Sequence, residues 1–252
     1  MVSKDDITAQ QILEIIKNPK QLKAINKSVG KLQPEYNERF KSIFELCDEI
    51  NGCTTYKSFN QAQTTRKKGQ LLELLLKSMF KYTGGLFETY ENLGTSTNEI
   101  DLFLRVSESA KILLGSIIDI KYKNILCECK NYQDTIGVTY IGKFYSLASV
   151  SQKNIAILVS WHGIGGDGWN DGVGLVKKIY MLKERKEDKI YIIDFNKRDF
   201  EKVLAGESII SILDKKCLEL ELDVSFEKYF EKHPNQDELE EKLDSIIADL
   251  EV

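Results

Sequence analysis

Residues 124–130 read Asn-Ile-Leu-Cys-Glu-Cys-Lys, a pattern that predicts a β-strand with charged groups on one face. Successive side chains of a β-strand point to opposite faces, so Glu128 and Lys130 share one face while Cys127 and Cys129 share the other. The carboxylate can hold a hard divalent cation through oxygen. The lysine can orient or help to deprotonate a water on that metal, or neutralise charge on a phosphate. Exposed strands often carry such acid–lysine pairs, so this pair alone is weak evidence for a catalytic site.

A second acid lies in residues 98–102, which read Asn-Glu-Ile-Asp-Leu. Alternation predicts a strand over 99–106, with Ile100, Leu102, Leu104 and Val106 on one side and Asp101, Phe103 and Arg105 on the other. If this strand neighbours 124–130, Asp101 meets Glu128. Two carboxylates that point at one spot need a cation or a proton between them.

A third acid, Glu73, interrupts the leucine run at 71–76. The run predicts a helix over 69–81 that ends at Gly84-Gly85. We expect Glu73 to be buried there, and a buried carboxylate needs a metal or another partner. The alternative is an ion pair with a buried Lys or Arg.

The remaining periodicities predict an α/β fold with a mixed sheet covered by helices. We also predict an insertion at 107–123 with a short strand at 117–120, a polar linker at 54–65 and an amphipathic acidic helix at 236–250. That helix either docks on the core or contacts a partner. We expect strands at 86–90, 99–106, 124–130, 155–160 and 190–194, and helices in 6–51, 69–81, 142–150, 174–185, 200–204 and 209–213.

Composition bounds the class of protein without selecting a partner. The 252 residues carry a net charge of −4, distributed as +4 over 1–70, +1 over 71–200 and −9 over 201–252. An acidic total is therefore compatible with a nucleic-acid-binding core. Five cysteines at irregular spacings predict free thiols, and no apolar run is long enough to span a membrane. The polar N-terminus is unlike a signal peptide, so we expect a cytoplasmic protein.

Three other features each have two interpretations. The glycine-rich loop 161–174 lacks the Gly-Lys-Ser/Thr of a P-loop, and either binds a phosphate through its amides or is a plain connector. His162 either reaches a scissile phosphate or caps a strand end. The basic residues Arg66, Lys67 and Lys68 either hold phosphates or form a solvated face. Cys127 and Cys129 are better explained as small core residues than as a metal site.

At this point the motifs resemble a known family. Lys68-Gly69-x-x-x-Glu73 on a helix, Asp101 in Asn-Glu-Ile-Asp and a strand that ends in Glu-Cys-Lys are similar to the PD-(D/E)xK nuclease superfamily. The run Glu-Cys-Lys-Asn-Tyr, the next helix with Tyr140 and Lys143, and the strand and loop at 155–166 look most like the Mrr-type restriction endonucleases. The resemblance covers 68–204 and implies a restriction-endonuclease-like core, in which helices flank a central mixed β-sheet.

The resemblance also implies roles for single residues. Asp101, Glu128 and the backbone carbonyl of Cys129 would ligate Mg²⁺ or Mn²⁺, Lys130 would position the attacking water, and Glu73 would add a ligand through water. The residues expected to contact nucleic acid are Arg66, Lys67, Lys68, Lys143 and His162. Two features depart from the family: 27 residues separate Asp101 from Glu128, and the proline of the motif is absent.

The sequence thus predicts a Mg²⁺-dependent endonuclease that hydrolyses DNA in restriction or anti-phage defence. We expect a helical module at 1–65, the catalytic domain at 66–216 and an acidic extension at 217–252. A homodimer through the N-terminal helices or the C-terminal stripe, or a defence-system partner protein, would fit this reading. The alternatives are a structure-selective nuclease, since residues 66–69 are similar to archaeal Holliday junction resolvases, and a DNA-binding subunit of a larger complex.

Overall fold

The computed structural model describes residues 17–18, 28–94, 99–108, 110–111, 120–151, 153–166, 170–185 and 188–223. The strand expected at 117–120 lies largely outside these residues, and the acidic helix expected at 236–250 lies wholly outside them. The strands of the described part are β1 (Phe87–Gly94), β2 (Glu99–Val106), β3 (Asn124–Cys129), β4 (Ile155–Val159) and β5 (Tyr191–Phe195). Its α-helices are α1 (Asn37–Asn51), α2 (Gln61–Lys81), α3 (Val138–Val150), α4 (Gly172–Met181), α5 (Lys197–Leu204) and α6 (Ile209–Leu222).

The five strands form one open mixed sheet in the order β1-β2-β3-β4-β5. Strands β1, β2 and β3 are antiparallel neighbours, whereas β3, β4 and β5 run parallel. Parallel neighbours need crossovers, and α3 and α4 supply them. The predicted class, α/β with a mixed central sheet flanked by helices, is confirmed.

Each face of the sheet has its own hydrophobic core. Phe40 of α1, Leu72 of α2 and Leu104 of β2 belong to the first, and Leu126 of β3 and Ile141 of α3 belong to the second. All five side chains of β4 are buried, as expected of a parallel strand covered on both faces. Burial of each large apolar side chain contributes about 1.5–3 kcal/mol.

The expected domain boundaries both fall inside helices. Helix α2 runs across 65/66, and α6 runs across 216/217. Helix α1 also packs on α2 and shares the core that covers the first face of the sheet. The described residues on both sides of each boundary are therefore joined by continuous structure.

Helix α2 begins earlier than the polar composition of 54–65 predicts. Its N-cap residue Asn60 accepts a hydrogen bond from the Gln63 amide at 2.9 Å, and the Gln63 side chain accepts one from the Asn60 amide at 2.9 Å. This reciprocal capping box satisfies amides that a helix start leaves without partners. The expected linker is wrong from residue 61 onward. None of the described helices is long and apolar enough to cross a membrane.

Candidate active site

The acid and lysine residues meet where β2 begins and β3 ends. Leu102 pairs with Cys127 in the antiparallel ladder, which brings Asp101 beside the end of β3. The Cys129 amide donates to Asp101 Oδ2 at 2.8 Å. Lys130 Nζ lies 2.7 Å from Glu128 Oε1 and 3.6 Å from Asp101 Oδ2. The structure therefore brings together the two acids and the lysine that the strand patterns single out.

The electrostatics of this cluster follow from partial burial. Burial raises the pKa of Glu128, the charges of Asp101 and Glu73 raise it further, and the hydrogen bond and charge of Lys130 oppose them. Burial acts to lower the pKa of Lys130, but the hydrogen bond to Glu128 and the charges of Glu128 and Asp101 outweigh it and raise that pKa. Lys130 thus keeps its proton at neutral pH and acts as a cation.

One carboxylate oxygen of this cluster is left over. Glu128 Oε2 is buried and makes no hydrogen bond within the described part of the chain. A buried acceptor without a donor costs about 1–3 kcal/mol, so such atoms are rare unless something else satisfies them.

Glu73 lies on the solvent side of α2, not in the core. The helix buries Leu71, Leu72, Leu75 and Leu76 and leaves Glu73 exposed. The expectation that Glu73 is buried is wrong, because a helix turns 100° per residue and residue 73 falls outside the buried stripe. Glu73 instead lines a cavity of about 320 Å³ together with Asp101 and Cys129.

The basic residues at 66–68 do not act as one surface. Arg66 and Lys67 are exposed, but Lys68 is only 4% exposed and its ammonium donates to the Cys53 carbonyl at 2.7 Å. The Lys68 ammonium is therefore not accessible for the phosphate contact that the sequence predicts. The Lys68 carbonyl accepts from Asn131 Nδ2 at 2.9 Å, which anchors the chain just after Lys130 to α2.

An aromatic pair next to the cluster is absent from the predicted site. Tyr132 is 39% exposed, and its ring meets that of Tyr140 edge-on at a centroid distance of 5.2 Å. Lys143 is exposed and its Nζ lies 5.5 Å from the centre of the Tyr140 ring. Burial, and then the hydrogen bond that the Tyr132 hydroxyl donates to Tyr140, raise the pKa of Tyr132 to about 12. Its position two residues after Lys130 was the available signal in the sequence.

His162 lies elsewhere. Its exposed side chain lines a second cavity, whose lining includes neither Asp101 nor Glu128. The loop around it packs on the segment that follows β3, since Ile136 and Ile164 form a parallel bridge. A Cβ on Gly165 would lie 2.3 Å from Thr135 Oγ1. Close packing against Thr135 therefore accounts for a glycine at this position.

The cysteines behind the cluster are core residues. Cys127 and Cys129 are free thiols in the same apolar core as Leu102 and Leu104. Burial raises the pKa of both thiols well above the usual range. Thiolates, the form that binds metals, are therefore disfavoured here.

The metal that the resemblance implies can be tested against these groups. Among the described residues, no set of three or more His, Cys, Asp or Glu side chains has a metal-binding arrangement. Mg²⁺, however, commonly takes only one or two carboxylates and completes its shell with water and substrate phosphate. Asp101 and Glu128 supply two carboxylates, and Glu128 Oε2 has spare acceptor capacity. The donor set fits such a cation.

Comparison with known proteins adds no relative: no family model, no curated protein and no solved structure matches the chain.

Proposed function

We propose that this protein is a metal-dependent nuclease that hydrolyses phosphodiester bonds of DNA, on a restriction-endonuclease-like core. The observation that carries the proposal is the Asp101–Lys130–Glu128 cluster, in which one ammonium lies 2.7 Å and 3.6 Å from two carboxylates at the end of a sheet. Its order along the chain and its place on β2 and β3 are those that the family resemblance implies. Restriction or anti-phage defence is the role that this resemblance suggests.

Each residue of the cluster has a task in this proposal. Asp101, Glu128 and the Cys129 carbonyl would hold Mg²⁺ or Mn²⁺, which when bound supplies a Lewis acid and lowers the pKa of a water. Lys130, whose ammonium lies 2.7 Å from Glu128 and 3.6 Å from Asp101, would orient the attacking water or neutralise charge on the phosphate. Glu73 contributes negative charge from the solvent side of α2.

A second candidate, a structure-selective nuclease, is favoured by Tyr132 and Tyr140. An exposed tyrosine beside the cluster offers a face on which an unpaired base can stack, and stacking contributes about 1–3 kcal/mol per base. Junctions and other distorted DNA expose such bases, whereas plain duplex does not.

Cleavage of DNA by the purified protein tests both candidates. Supercoiled plasmid, linear duplex and a four-way junction are each incubated with Mg²⁺, Mn²⁺ or EDTA. We expect metal-dependent cutting that falls at least about 100-fold in Lys130→Ala and Asp101→Ala, in line with the size of catalytic-group effects. The matched control is Lys41→Ala, which removes an exposed lysine of α1 and should leave the rate unchanged.

Circular dichroism of each variant shows whether the fold is retained. Full activity in folded Lys130→Ala or Asp101→Ala would refute the assigned site. Preferential cutting of the junction selects the structure-selective candidate. DNA binding by the folded wild type with no cutting under any metal would overturn the enzyme and leave the DNA-binding subunit.

A further inference from the structure

A cavity of about 650 Å³ opens at the carboxyl end of β5, lined by residues within 161–166 and by α4 and α6. Its volume is within the range of 300–1,000 Å³ that is usual for small-molecule sites. In α/β proteins ligands bind at the carboxyl ends of parallel strands. The proposed nuclease site does not use this cavity, because Asp101, Glu128 and Lys130 are not among the residues that line the cavity.

Asp194 gives the cavity a specific polar anchor. Its Oδ2 accepts from Asn196 Nδ2 at 2.9 Å, while its Oδ1 is buried and makes no hydrogen bond to the described residues. Burial raises the pKa of Asp194, opposed mainly by the charge of Lys216 and the hydrogen bonds from Asn196 and the Ile164 amide. Asp194 lines the cavity and is partly exposed, so an N–H or O–H group of a ligand there can donate to its carboxylate.

The lining also includes an apolar wall, a basic rim and one further acid, Glu219. Val173, Val176 and Ile192 line the wall, which suits a flat, weakly polar body. Lys177, Lys197 and Arg198 supply three cations to the lining, and their side chains reach solvent.

Lys177 and Lys197 can contact an anion although each already has an acidic neighbour. Lys177 Nζ lies 2.5 Å from Asp223 Oδ1, and Lys197 Nζ lies 2.6 Å from Asp48 Oδ1. Ion pairs this exposed contribute little free energy, so a phosphate can displace or join the carboxylates. Lys216, by contrast, pairs with the buried Asp199 at 2.9 Å and serves the interior.

We propose that this cavity binds a nucleoside monophosphate. The base lies against the apolar wall and donates an amino or imide N–H to the Asp194 carboxylate, and the phosphate contacts the basic rim. Every common base has such a donor. The Asp194 carboxylate, the apolar wall and the basic rim would therefore select nucleotides as a class and not one particular base.

Isothermal titration calorimetry of the full chain with AMP, GMP, CMP and UMP, in EDTA and without DNA, tests this site. At least one nucleotide should bind with one equivalent per chain. Asp194→Asn should weaken that binding at least about tenfold, because the amide can keep its oxygen toward Asn196 but then presents a donor where the ligand needs an acceptor. Asp188→Asn, which removes an exposed acid, is the matched control and should bind as the wild type does.

Lys177→Ala changes only the rim, so it should weaken nucleotide binding severalfold and leave binding of the parent nucleoside unchanged. Lys130→Ala should bind as tightly as the wild type, and its loss of binding would place the nucleotide at the nuclease cluster and overturn the proposal. The proposal also fails if none of the four nucleotides binds, if Asp194→Asn has no effect, or if inorganic phosphate alone binds equally well. None of these readouts depends on DNA cleavage, so the two proposals stand or fall separately.

Discussion

Glu128 and Asp194 lie in one row of the sheet, each in register with Leu158 on the strand between them. Two strand spacings, about 10 Å, separate their backbones. The same face carries Leu126, Ala156 and Ile192 in its core, so both carboxylates belong to an otherwise apolar surface. The cation near each carboxylate belongs to a residue outside the strands: Lys130 pairs with Glu128, and the charge of Lys216 acts on Asp194. Burial raises the pKa of both acids.

The raised pKa of Asp194 predicts a pH-dependent effect of Asp194→Asn. A carboxyl group with a higher pKa in the folded protein contributes stability that is full below its unfolded pKa of about 3.9 and is lost as pH rises through the folded pKa. Asparagine does not titrate, so the stability of the variant relative to wild type should increase from about pH 4 to pH 7. Thermal unfolding midpoints measured across this range check the slope. A difference that stays constant with pH would contradict the burial argument.

Two glycine-to-alanine substitutions should have opposite effects. At Gly165 the new Cβ would lie 2.3 Å from Thr135 Oγ1, so Gly165→Ala should destabilise the protein by about 1–3 kcal/mol. At Gly69, inside α2, a Cβ meets nothing within 4 Å, and alanine should stabilise the helix by about 0.5–1 kcal/mol. Urea unfolding measures both. Thr135→Ala should restore part of the loss at Gly165, and two changes of the same sign would refute the packing account.

The basic residues before the helical acid should separate into two classes. The double variant Arg66→Ala/Lys67→Ala removes two exposed cations and should reduce the slope of log affinity for duplex DNA against log salt by about 2. Lys68→Met should leave that slope unchanged but lower the unfolding free energy by about 1–3 kcal/mol, because the Cys53 carbonyl loses its donor. Fluorescence anisotropy at several salt concentrations and urea unfolding distinguish the two. A change of salt slope in Lys68→Met would show that its ammonium reaches DNA.

Strands β2 and β3 were predictable because their side chains alternate between the two faces. Strand β2 has the bounds that its alternation predicts, 99–106, and β3 ends at Cys129, one residue before the predicted end. The same patterns place Asp101 and Glu128 on neighbouring strands. These two acids and Lys130 therefore follow from sequence, given only that the two strands are adjacent.

The expectations for Lys68 and Glu73 on α2 were wrong because they followed the neighbours of each residue in sequence and not its position around the helix. The buried stripe includes Thr64, Lys68, Leu71, Leu72 and Leu75, which recur at spacings of three and four. Extended backward from the leucines, that stripe predicts a buried Lys68 and an exposed Glu73. The Asn60–Gln63 capping box was likewise a visible start signal. The separation of His162 from the cluster depends on packing between distant loops, which no local pattern encodes.

The ladder between β2 and β3 has a consequence for how this molecule changes over evolution. Pairing of Leu102 with Cys127 sets the place of Asp101 beside the end of β3, whatever the number of residues that return the chain between them. Closing a longer flexible loop is inexpensive, since each doubling of its length costs about 0.6 kcal/mol. Insertions and deletions between Asp101 and Glu128 can therefore accumulate without disturbing the cluster. Divergent homologues of this chain are better recognised by strand register than by the distance between motifs.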